Sequence, residues 1–361
     1  MSTRDPCAEV DPGLSRVLAG VGGWDVGGVA VAVVDLGAVP AARLALAGDG
    51  AVATVFEVGS VTKALTGMLL ADAIQRAELS LDASVAAILP ERRGTEFGSI
   101  TMRELCTHTS GLPRLSRGAS TTLRGARFAL LGRDPYRRIS ADEVLLVAAR
   151  QALRTRGRYA YSNLGGAVAG QLLAKAAGAG YADLLRERIF EPLGMHSSAV
   201  SSRDRAAPAG RSAAGRRRQP WIMDGYAPAG GVISTIADMT RLACGLLKGS
   251  APGSASLTAL DHAPGPAAGT ATGMFWLTAA PAQGDRPLVW HSGQTGGYAS
   301  FLGLHPRADR AVIVLRSVAR GPEAHHIAQQ LSRAAGASRR ADGDSGSLAG
   351  PVGGDHSSTL R

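Results

Sequence analysis

The chain has few cysteines, few aromatic residues and no long apolar run. Its 361 residues include three cysteines, Cys7, Cys106 and Cys244, none of them in Cys-x-x-Cys spacing, and aromatic residues make up only 4%. The sequence therefore predicts neither a disulfide framework nor a zinc site. Apolar runs such as 29–34 reach only six residues, far fewer than the roughly 18 that a membrane-spanning helix needs. The first 20 residues carry acidic side chains where a signal peptide would need an apolar stretch, so we expect a cytoplasmic protein without a membrane partner.

Lysine is also scarce, although the chain is basic. The formal net charge is +10, yet only Lys63, Lys175 and Lys248 are lysines. The arginines are scattered, aromatic residues do not alternate with them, and no nucleic-acid recognition motif is present. We therefore expect no nucleic-acid partner. Because 45% of the residues are hydrophobic, the chain has enough apolar material for a packed core, and a mostly disordered protein is excluded.

The order of the sequence patterns predicts an α+β fold. Residues 1–20 are predicted to be a flexible leader, 21–335 a single domain, and 336–361 a disordered tail. Within the domain, strand-like segments at both ends enclose a mostly helical region at about 80–225. Strands that are distant in sequence must then close one sheet. We expect an antiparallel β-sheet flanked by helices, with the helical region inserted and a cleft between the two.

Individual elements follow from periodicity and from capping residues. Two capping boxes are predicted, Thr101 to Glu104 and Ser140 to Glu143. The predicted strands are 29–34, 43–47, 51–57, 273–279, 287–291, 300–304 and 310–315. One predicted helix begins at Ser60, and four others cover 164–177, 181–190, 235–247 and 322–335.

The first candidate site is Ser60-Val-Thr-Lys63 at the start of a predicted helix. Residues three apart lie on one helical face, so the hydroxyl of Ser60 and the amine of Lys63 can meet there. A hydroxyl becomes a nucleophile when a base takes its proton. Lys63 could be that base if its pKa is lowered, or it could keep another base deprotonated. The alternative is a helix cap followed by a solvated lysine, which the apolar surroundings of Lys63 disfavour.

The second candidate is Tyr161-Ser-Asn163, which follows the helical region. A phenol next to a buried lysine can exchange protons, and the amide of Asn163 offers both a donor and an acceptor to a substrate. Taken alone, this segment is more typical of an ordinary loop before a helix.

The third candidate lies at the end of a late predicted strand. His291-Ser292-Gly293-Gln294 can offer backbone N–H groups as an oxyanion hole, and His291 can supply a polar or cationic group near a substrate carboxylate. The alternative is a strand end with a structural histidine and a glycine turn.

Together, in this order, the three motifs resemble the penicillin-recognising serine hydrolases, which include class C β-lactamases, D-alanyl-D-alanine peptidases and related esterases. The resemblance covers about residues 25–335. It also rests on four supporting stretches: Phe56 to Lys63, Ile100 to Leu112, Glu191 to Met195 and Ala229 to Thr235.

The resemblance implies a β-lactamase/transpeptidase-like fold and a role for each motif. Ser60 would be the acylated nucleophile, and Lys63 and Tyr161 would transfer protons. The substrate would contact Asn163 and the segment His291, Ser292, Gly293 and Gln294. The backbone N–H groups of Ser60 and Gln294 would form the oxyanion hole. No metal or organic cofactor is implied.

One departure from the β-lactamase pattern bears on the substrate. Class C β-lactamases usually carry Lys-Thr-Gly on the late strand, where this chain has His291-Ser292-Gly293. A histidine holds an anionic carboxylate more weakly than a lysine at neutral pH. The sequence thus predicts a serine hydrolase for a small ester, a β-lactam or a D-amino-acid peptide. Two alternatives stay open: an acyltransferase that uses the same site, and a non-catalytic ligand-binding member of the fold.

Overall fold

The computed structural model describes residues 10–21, 27–37, 40–258, 260, 263, 265–279 and 288–320. Within these ranges, none of the helices combines the length and the apolar character needed to cross a membrane. The predicted helix 322–335 and the predicted tail 336–361 lie outside the described residues. Cys106 and Cys244 are buried and belong to no disulfide among the described residues, and Cys7 lies outside the described residues.

A seven-stranded antiparallel sheet forms the larger layer. Its strands are β1 (Val29–Asp35), β2 (Ala41–Ala47), β6 (Thr270–Thr272), β7 (Leu277–Ala279), β8 (Leu288–Gln294), β9 (Ala299–His305) and β10 (Arg310–Arg316). Their spatial order is β2-β1-β10-β9-β8-β7-β6. Strands β1 and β10 pair from Val29↔Arg316 to Asp35↔Arg310, so the two ends of the domain meet in the middle of the sheet. The predicted antiparallel sheet is confirmed.

Each face of this sheet is covered by helices. Side chains alternate between the faces of a strand. Val29, Val31 and Val33 of β1 therefore pack with Leu14 and Leu18 of helix α1 (Pro12–Val21). The flexible leader predicted over residues 1–20 is wrong for residues 12–20, because these two leucines are buried against the sheet.

The opposite face of the sheet packs on helices α2 (Val61–Gln75) and α10 (Ile236–Leu247) in the main core. Helix α2 is buried on all sides, with 13 of its 15 residues buried. Such a helix is held by its surroundings rather than by one apolar stripe. Gly67 shows how tight the fit is, because a Cβ there would lie 1.9 Å from the carbonyl oxygen of Met274.

The inserted region supplies most of the remaining helices. These are α3 (Val85–Ile88), α4 (Met102–Cys106), α5 (Ala119–Leu131), α6 (Ala141–Ala148), α7 (Asn163–Ala177), α8 (Tyr181–Leu185) and α9 (Ala227–Gly230). A small sheet of β3 (Phe56–Glu57), β5 (Val232–Ser234) and β4 (Ala199–Val200), in that order, connects this region to the start of α2. The capping box from Thr101 to Glu104 is complete, whereas at α6 only the bond from the Glu143 N–H to the Ser140 side chain forms.

Two predicted strands differ from the structure, and one helix was not predicted. The strand predicted over 51–57 is reduced to Phe56–Glu57. The strand predicted over 273–279 is interrupted at Phe275, which has a φ of +65° and donates its N–H to the carbonyl of Cys106. Helix α5 was not predicted, because much of its apolar surface faces solvent, including Leu123, Leu130 and Leu131.

Candidate active site

Ser60 and Lys63 meet at the first turn of α2. Ser60 is the N-cap residue and follows Gly59, whose φ of +51° turns the chain from β3 into the helix. The Lys63 side chain is fully buried. Its Nζ lies 3.2 Å from Ser60 Oγ, 2.8 Å from Asn163 Oδ1 and 2.5 Å from the carbonyl oxygen of Ala229. The amine therefore has three oxygen partners, one of which is the candidate nucleophile.

Tyr161 completes this cluster from the end of the loop before α7. Its hydroxyl is within hydrogen-bonding reach of the Ser60 side chain. Lys63 Nζ lies 4.9 Å from the centre of the Tyr161 ring, and the Arg114 guanidinium carbon lies 5.4 Å from the same centre. The structure thus brings Ser60, Lys63, Tyr161 and Asn163 together from positions up to about a hundred residues apart in sequence.

The segment 108–114 holds Tyr161 in place. The backbone N–H groups of Ala160 and Asn163 donate to the carbonyls of His108 and Arg114. The Ser162 hydroxyl donates to the carbonyl of Pro113 (2.7 Å) and accepts from the N–H of Gly165, which caps α7. The segment that begins with His-Thr-Ser-Gly-Leu therefore has a structural role, because its carbonyl groups bind the loop that carries Tyr161.

His108 adds a ring contact beneath the tyrosine. Its Nδ1 accepts the N–H of Ser162 (3.3 Å), and its ring centre lies 4.6 Å from that of Tyr161. The residue has a φ of +59° and is buried. Burial holds the pKa of His108 well below its usual value, and the charge that Lys63 or His291 would carry if protonated lowers it further. His108 is therefore a neutral imidazole with its proton on Nε2.

Burial also sets the protonation of Lys63 and Tyr161. It lowers the pKa of Lys63 well below 10.5, and the positive charge of Arg114 lowers it further. Burial raises the pKa of Tyr161, against the opposing effects of its bond with Ser60 and of Arg114. Removing a charge from water disfavours the charged form of each group. The arrangement thus favours a neutral amine and a neutral phenol. It supports the lysine rather than a tyrosinate as the base.

The end of β8 lies against the turn that carries Ser60. A Cβ on Gly293 would lie 2.0 Å from the carbonyl oxygen of Val58 and 3.0 Å from the backbone nitrogen of Ser60. A Cβ on Gly59 would lie 2.7 Å from the backbone nitrogen of Gln294. Only glycines allow the two backbones to come this close.

The orientation of Gln294 follows from the ladder between β8 and β9. Thr295 donates its N–H to the carbonyl of Tyr298 (3.0 Å), and antiparallel strands alternate the direction of successive N–H groups. The N–H of Gln294 therefore points away from β9. On that side β7 pairs only with residues 288–290, so the edge is open next to Ser60.

The other members of the predicted motif divide between two faces. His291 is buried and its ring centre lies 6.5 Å from that of Tyr161. The side chain of Ser292 lies on the opposite face of β8, the face on which Trp290 stacks with Phe301. The Gln294 side chain turns away to donate to the carbonyl of Ala319 (3.2 Å). For Ser292 and Gln294, only the backbone lies near Ser60.

His291 is neutral in the fold. Burial and, when Lys63 is protonated, the charge of that amine lower the pKa of His291 to about 3, against the opposing effect of its bond to the carbonyl of Ser292. Its Nδ1 lies 2.7 Å from that carbonyl, so Nδ1 carries the proton. Its Nε2 is a buried acceptor with no partner in the part of the chain that the structure describes. Of the two options that the sequence left open, polar or cationic, the structure favours the polar one.

A buried carboxyl that the sequence did not indicate lies three residues before Ser60. Burial raises the pKa of Glu57 to about 7, although bonds from Thr295 and from the Trp221 N–H lower it. Its Oε1 accepts the N–H of Trp221 at 2.6 Å. Glu57 therefore ties the segment around Trp221, whose ring packs on Tyr136 (centroids 5.2 Å apart), to the β8–β9 turn. The described residues contain no group of three or more His, Cys, Asp or Glu side chains that could hold a metal ion.

A layered α+β fold in which a serine and a lysine at the start of one buried helix meet a tyrosine from the loop before another helix is typical of a class of serine hydrolases. The match to a family model identifies the family within that class. The model, described as "Beta-lactamase", matches residues 19–337, and the chain belongs to the β-lactamase family.

Similar proteins include both peptidases and β-lactamases. The chain is 27% identical over 327 residues to an unguisins hydrolase of Aspergillus campestris, covering 80% of this chain and 58% of that protein. It is 26% identical over 297 residues to the D-alanyl-D-alanine-carboxypeptidase/endopeptidase AmpH of Escherichia coli, covering 73% and 71%. The chain spans 58% of the length of the unguisins hydrolase, 50% of a penicillin-binding protein 4 of Amycolatopsis lactamdurans and 46% of a β-lactamase of Escherichia coli.

The fold is that of known β-lactamases and carboxypeptidases. The structure of a β-lactamase/D-alanine carboxypeptidase from Yersinia pestis matches with a TM-score of 0.71 and 20% identity, covering 90% of this chain and 99% of that one. The predicted β-lactamase/transpeptidase-like fold is confirmed.

Proposed function

We propose that this protein is a serine hydrolase that cleaves a small ester or amide through an acyl-enzyme on Ser60. The observation that carries the proposal is the set of three oxygen partners around the buried Lys63 amine. A neutral amine has two N–H groups and one lone pair. The carbonyl oxygens of Asn163 and Ala229 accept the two N–H groups. The lone pair is then left for the hydroxyl proton of Ser60.

Acylation would proceed by proton transfer from Ser60 to Lys63. Ser60 Oγ forms a bond to the substrate carbonyl carbon as its proton passes to Nζ. The tetrahedral intermediate then collapses, the bond to the leaving group breaks, and the leaving oxygen or nitrogen takes up a proton. Water later attacks the acyl-enzyme, releases the acid and restores the Ser60 hydroxyl.

Tyr161 would deliver the proton to the leaving group. As a neutral phenol within reach of Ser60 Oγ it can donate a proton and regain one from the Lys63 ammonium. The ammonium lies over its ring, 4.9 Å from the centroid. This relay needs no ionised tyrosine in the free enzyme, which agrees with the raised pKa of Tyr161.

The negative charge that develops on the carbonyl oxygen would be held by two backbone N–H groups, those of Ser60 and Gln294. The close approach of two backbone segments supports this assignment, because Gly59 in the turn before α2 and Gly293 near the end of β8 allow the N–H groups of Ser60 and Gln294 to lie near each other. Donors fixed before the reaction stabilise the transition state without reorganisation.

The neutral His291 points to the class of substrate. A cationic group here would hold a carboxylate, as expected for a β-lactam or a D-amino-acid peptide, but burial keeps His291 uncharged. A neutral His291 offers no positive charge to a substrate carboxylate. We therefore infer a preference for uncharged esters and amides over β-lactams and peptides with a terminal carboxylate.

A fluorophosphonate probe tests the nucleophile. We expect labelling of the wild type and none of Ser60→Ala, while the exposed-serine control Ser202→Ala labels normally. Labelling of Ser60→Ala at the wild-type rate would refute the assignment.

A substrate panel tests the class. We expect p-nitrophenyl acetate to be hydrolysed with a higher kcat/KM than nitrocefin or a D-alanyl-D-alanine peptide. The opposite order would overturn the inference drawn from His291.

A further inference from the structure

Outside the candidate active site, five arginines surround one open cavity of about 630 Å3. The cavity lies between α5 and the segment 133–138. Its lining includes the five arginines Arg124, Arg127, Arg133, Arg137 and Arg138, together with Asp134. Its size falls within the range of small-molecule sites. None of the residues that carry the proposed chemistry lines it.

The only acidic residue in this lining does not neutralise the arginines. Asp134 Oδ1 accepts the N–H of Tyr136 (2.8 Å), and its Oδ2 accepts the N–H groups of Ile222 (2.8 Å) and Met223 (3.3 Å). Both carboxylate oxygens are therefore used by the backbone. Asp134 fixes the wall of the cavity, and its single negative charge offsets at most one of the five arginines that line it.

The arginines themselves form no ion pair within the described ranges. Arg124 donates to the carbonyl of Arg137 (2.7 Å), which is neutral, and no carboxylate lies within 4.0 Å of any of the five guanidinium groups. Elsewhere in the chain arginines such as Arg156 and Arg188 bind carboxylates at 2.6 Å. Like charges that face one cavity repel one another unless an anion lies between them.

The backbone also presets the arginine-bearing segment. Arg138 has a φ of +62°, a conformation that non-glycine residues seldom adopt. It is held by a hydrogen bond of 2.5 Å from its N–H to the carboxylate of Asp224. A guanidinium offers a planar set of donors that matches phosphate and carboxylate oxygens in pairs.

We propose that this cavity is a second binding site, separate from Ser60, for a small molecule that carries two or more phosphate or carboxylate groups. A single anionic group would leave most of the five guanidinium groups without a partner. A concave site of this volume suits a compact polyanion better than the extended backbone of a nucleic acid.

Isothermal titration calorimetry of the full chain with pyrophosphate, and separately with citrate, tests the proposal. The reference is sodium chloride at equal ionic strength. We expect one molecule of pyrophosphate or citrate to bind per chain, and the tighter of the two identifies the anionic group that the site prefers. Ser60→Ala should bind equally well, since Ser60 does not line the cavity.

The decisive variant is the triple change Arg127→Gln, Arg133→Gln and Arg137→Gln, which should weaken binding at least about tenfold. The three side chains are exposed, and circular dichroism checks that the variant is folded. The matched control is Arg93→Gln, Arg154→Gln and Arg203→Gln, which changes the net charge equally at exposed arginines outside the cavity.

Two results would overturn the proposal. One is equal weakening in both triple variants, because binding would then follow net charge alone. The other is the absence of pyrophosphate and citrate binding to the wild type, including the case in which a duplex oligonucleotide binds instead.

Discussion

Replacing Lys63 by methionine should make the protein more stable and far less active. Methionine has nearly the same length as lysine but carries no amine. Burial of Lys63 lowers its pKa well below 10.5, so a protonated Lys63 destabilises the fold relative to the unfolded chain.

The variant loses some stabilisation as well. The carbonyl oxygen of Ala229 would lose its bond from Lys63 Nζ, and an unsatisfied buried acceptor costs about 1–3 kcal/mol. The amide of Asn163 is only partly buried and can turn to water. Replacing buried charged groups by well-packed apolar side chains of similar volume often stabilises a protein by about 1–4 kcal/mol, so we expect Lys63→Met to raise the free energy of unfolding at pH 7 by an amount in this range.

This gain should depend on pH in a defined direction. A lysine whose pKa is depressed in the fold makes the wild type less stable as pH falls below 10.5, because the unfolded chain binds the proton more readily. The advantage of Lys63→Met should then shrink as the pH rises toward 10.5. The exposed Lys175, which pairs with Asp142, provides the control, and Lys175→Met should change stability by less than about 1 kcal/mol at any pH.

Urea unfolding at several pH values measures the stability, and single-turnover acylation by a p-nitrophenyl ester measures the activity. Loss of the general base should slow acylation by about 10²–10⁴-fold. In the wild type, the acylation rate should rise with pH as Lys63 loses its proton and then level off. The midpoint of this rise should lie well below pH 10.5. A less stable Lys63→Met, a stability difference independent of pH, or acylation at the wild-type rate would refute the reasoning.

Three further perturbations test neighbouring groups. Tyr161→Phe should slow acylation of an ester with a poor leaving group by about 10²-fold or more, with less effect for p-nitrophenol, which needs little protonation; equal effects on both esters would contradict the proposed proton donor. Gly293→Ala places a Cβ 2.0 Å from the carbonyl oxygen of Val58, so it should lower kcat about 10²–10³-fold by displacing the Gln294 N–H, and unchanged kcat would show that this N–H is not used. Glu57 has its pKa raised to about 7, so its contribution to stability is present below pH 4.5 and is lost as the pH rises through 7; relative to Glu57→Gln, the wild type should lose about 3 kcal/mol between pH 4.5 and 8 in urea unfolding, and a constant difference would contradict the raised pKa.

The sequence predicted the sheet and the central helix because both carry strong local signals. The apolar run 29–34 has the composition of a buried strand and forms β1. The capping box at Thr101 and the serine at position 60 mark helix starts that the structure confirms. Amphipathic strand patterns and capping residues act within a few positions along the chain, so a single sequence is enough to predict them.

The features that the sequence did not indicate depend on distant contacts. Glu57 and Arg114 look like ordinary charged residues until the fold buries one and places the other over the ring of Tyr161. The charge of His291 was left open because only burial decides it. Helix α1 escaped prediction because the sheet that buries Leu14 and Leu18 is built from both ends of the domain.

The pairing of β1 with β10 has a consequence for synthesis of the protein. Gly28 donates its N–H to the hydroxyl of Ser317, which lies 289 positions further along the chain. During translation, β1 leaves the ribosome long before β10 has been synthesised. The edge of β1 that will pair with β10 stays open to other nascent chains in the meantime. The backbone donor of Gln294 also arrives late. The nascent polypeptide should therefore depend on chaperones until β10 has been synthesised, and under the proposed mechanism Ser60 should become reactive only after Gln294 has been added.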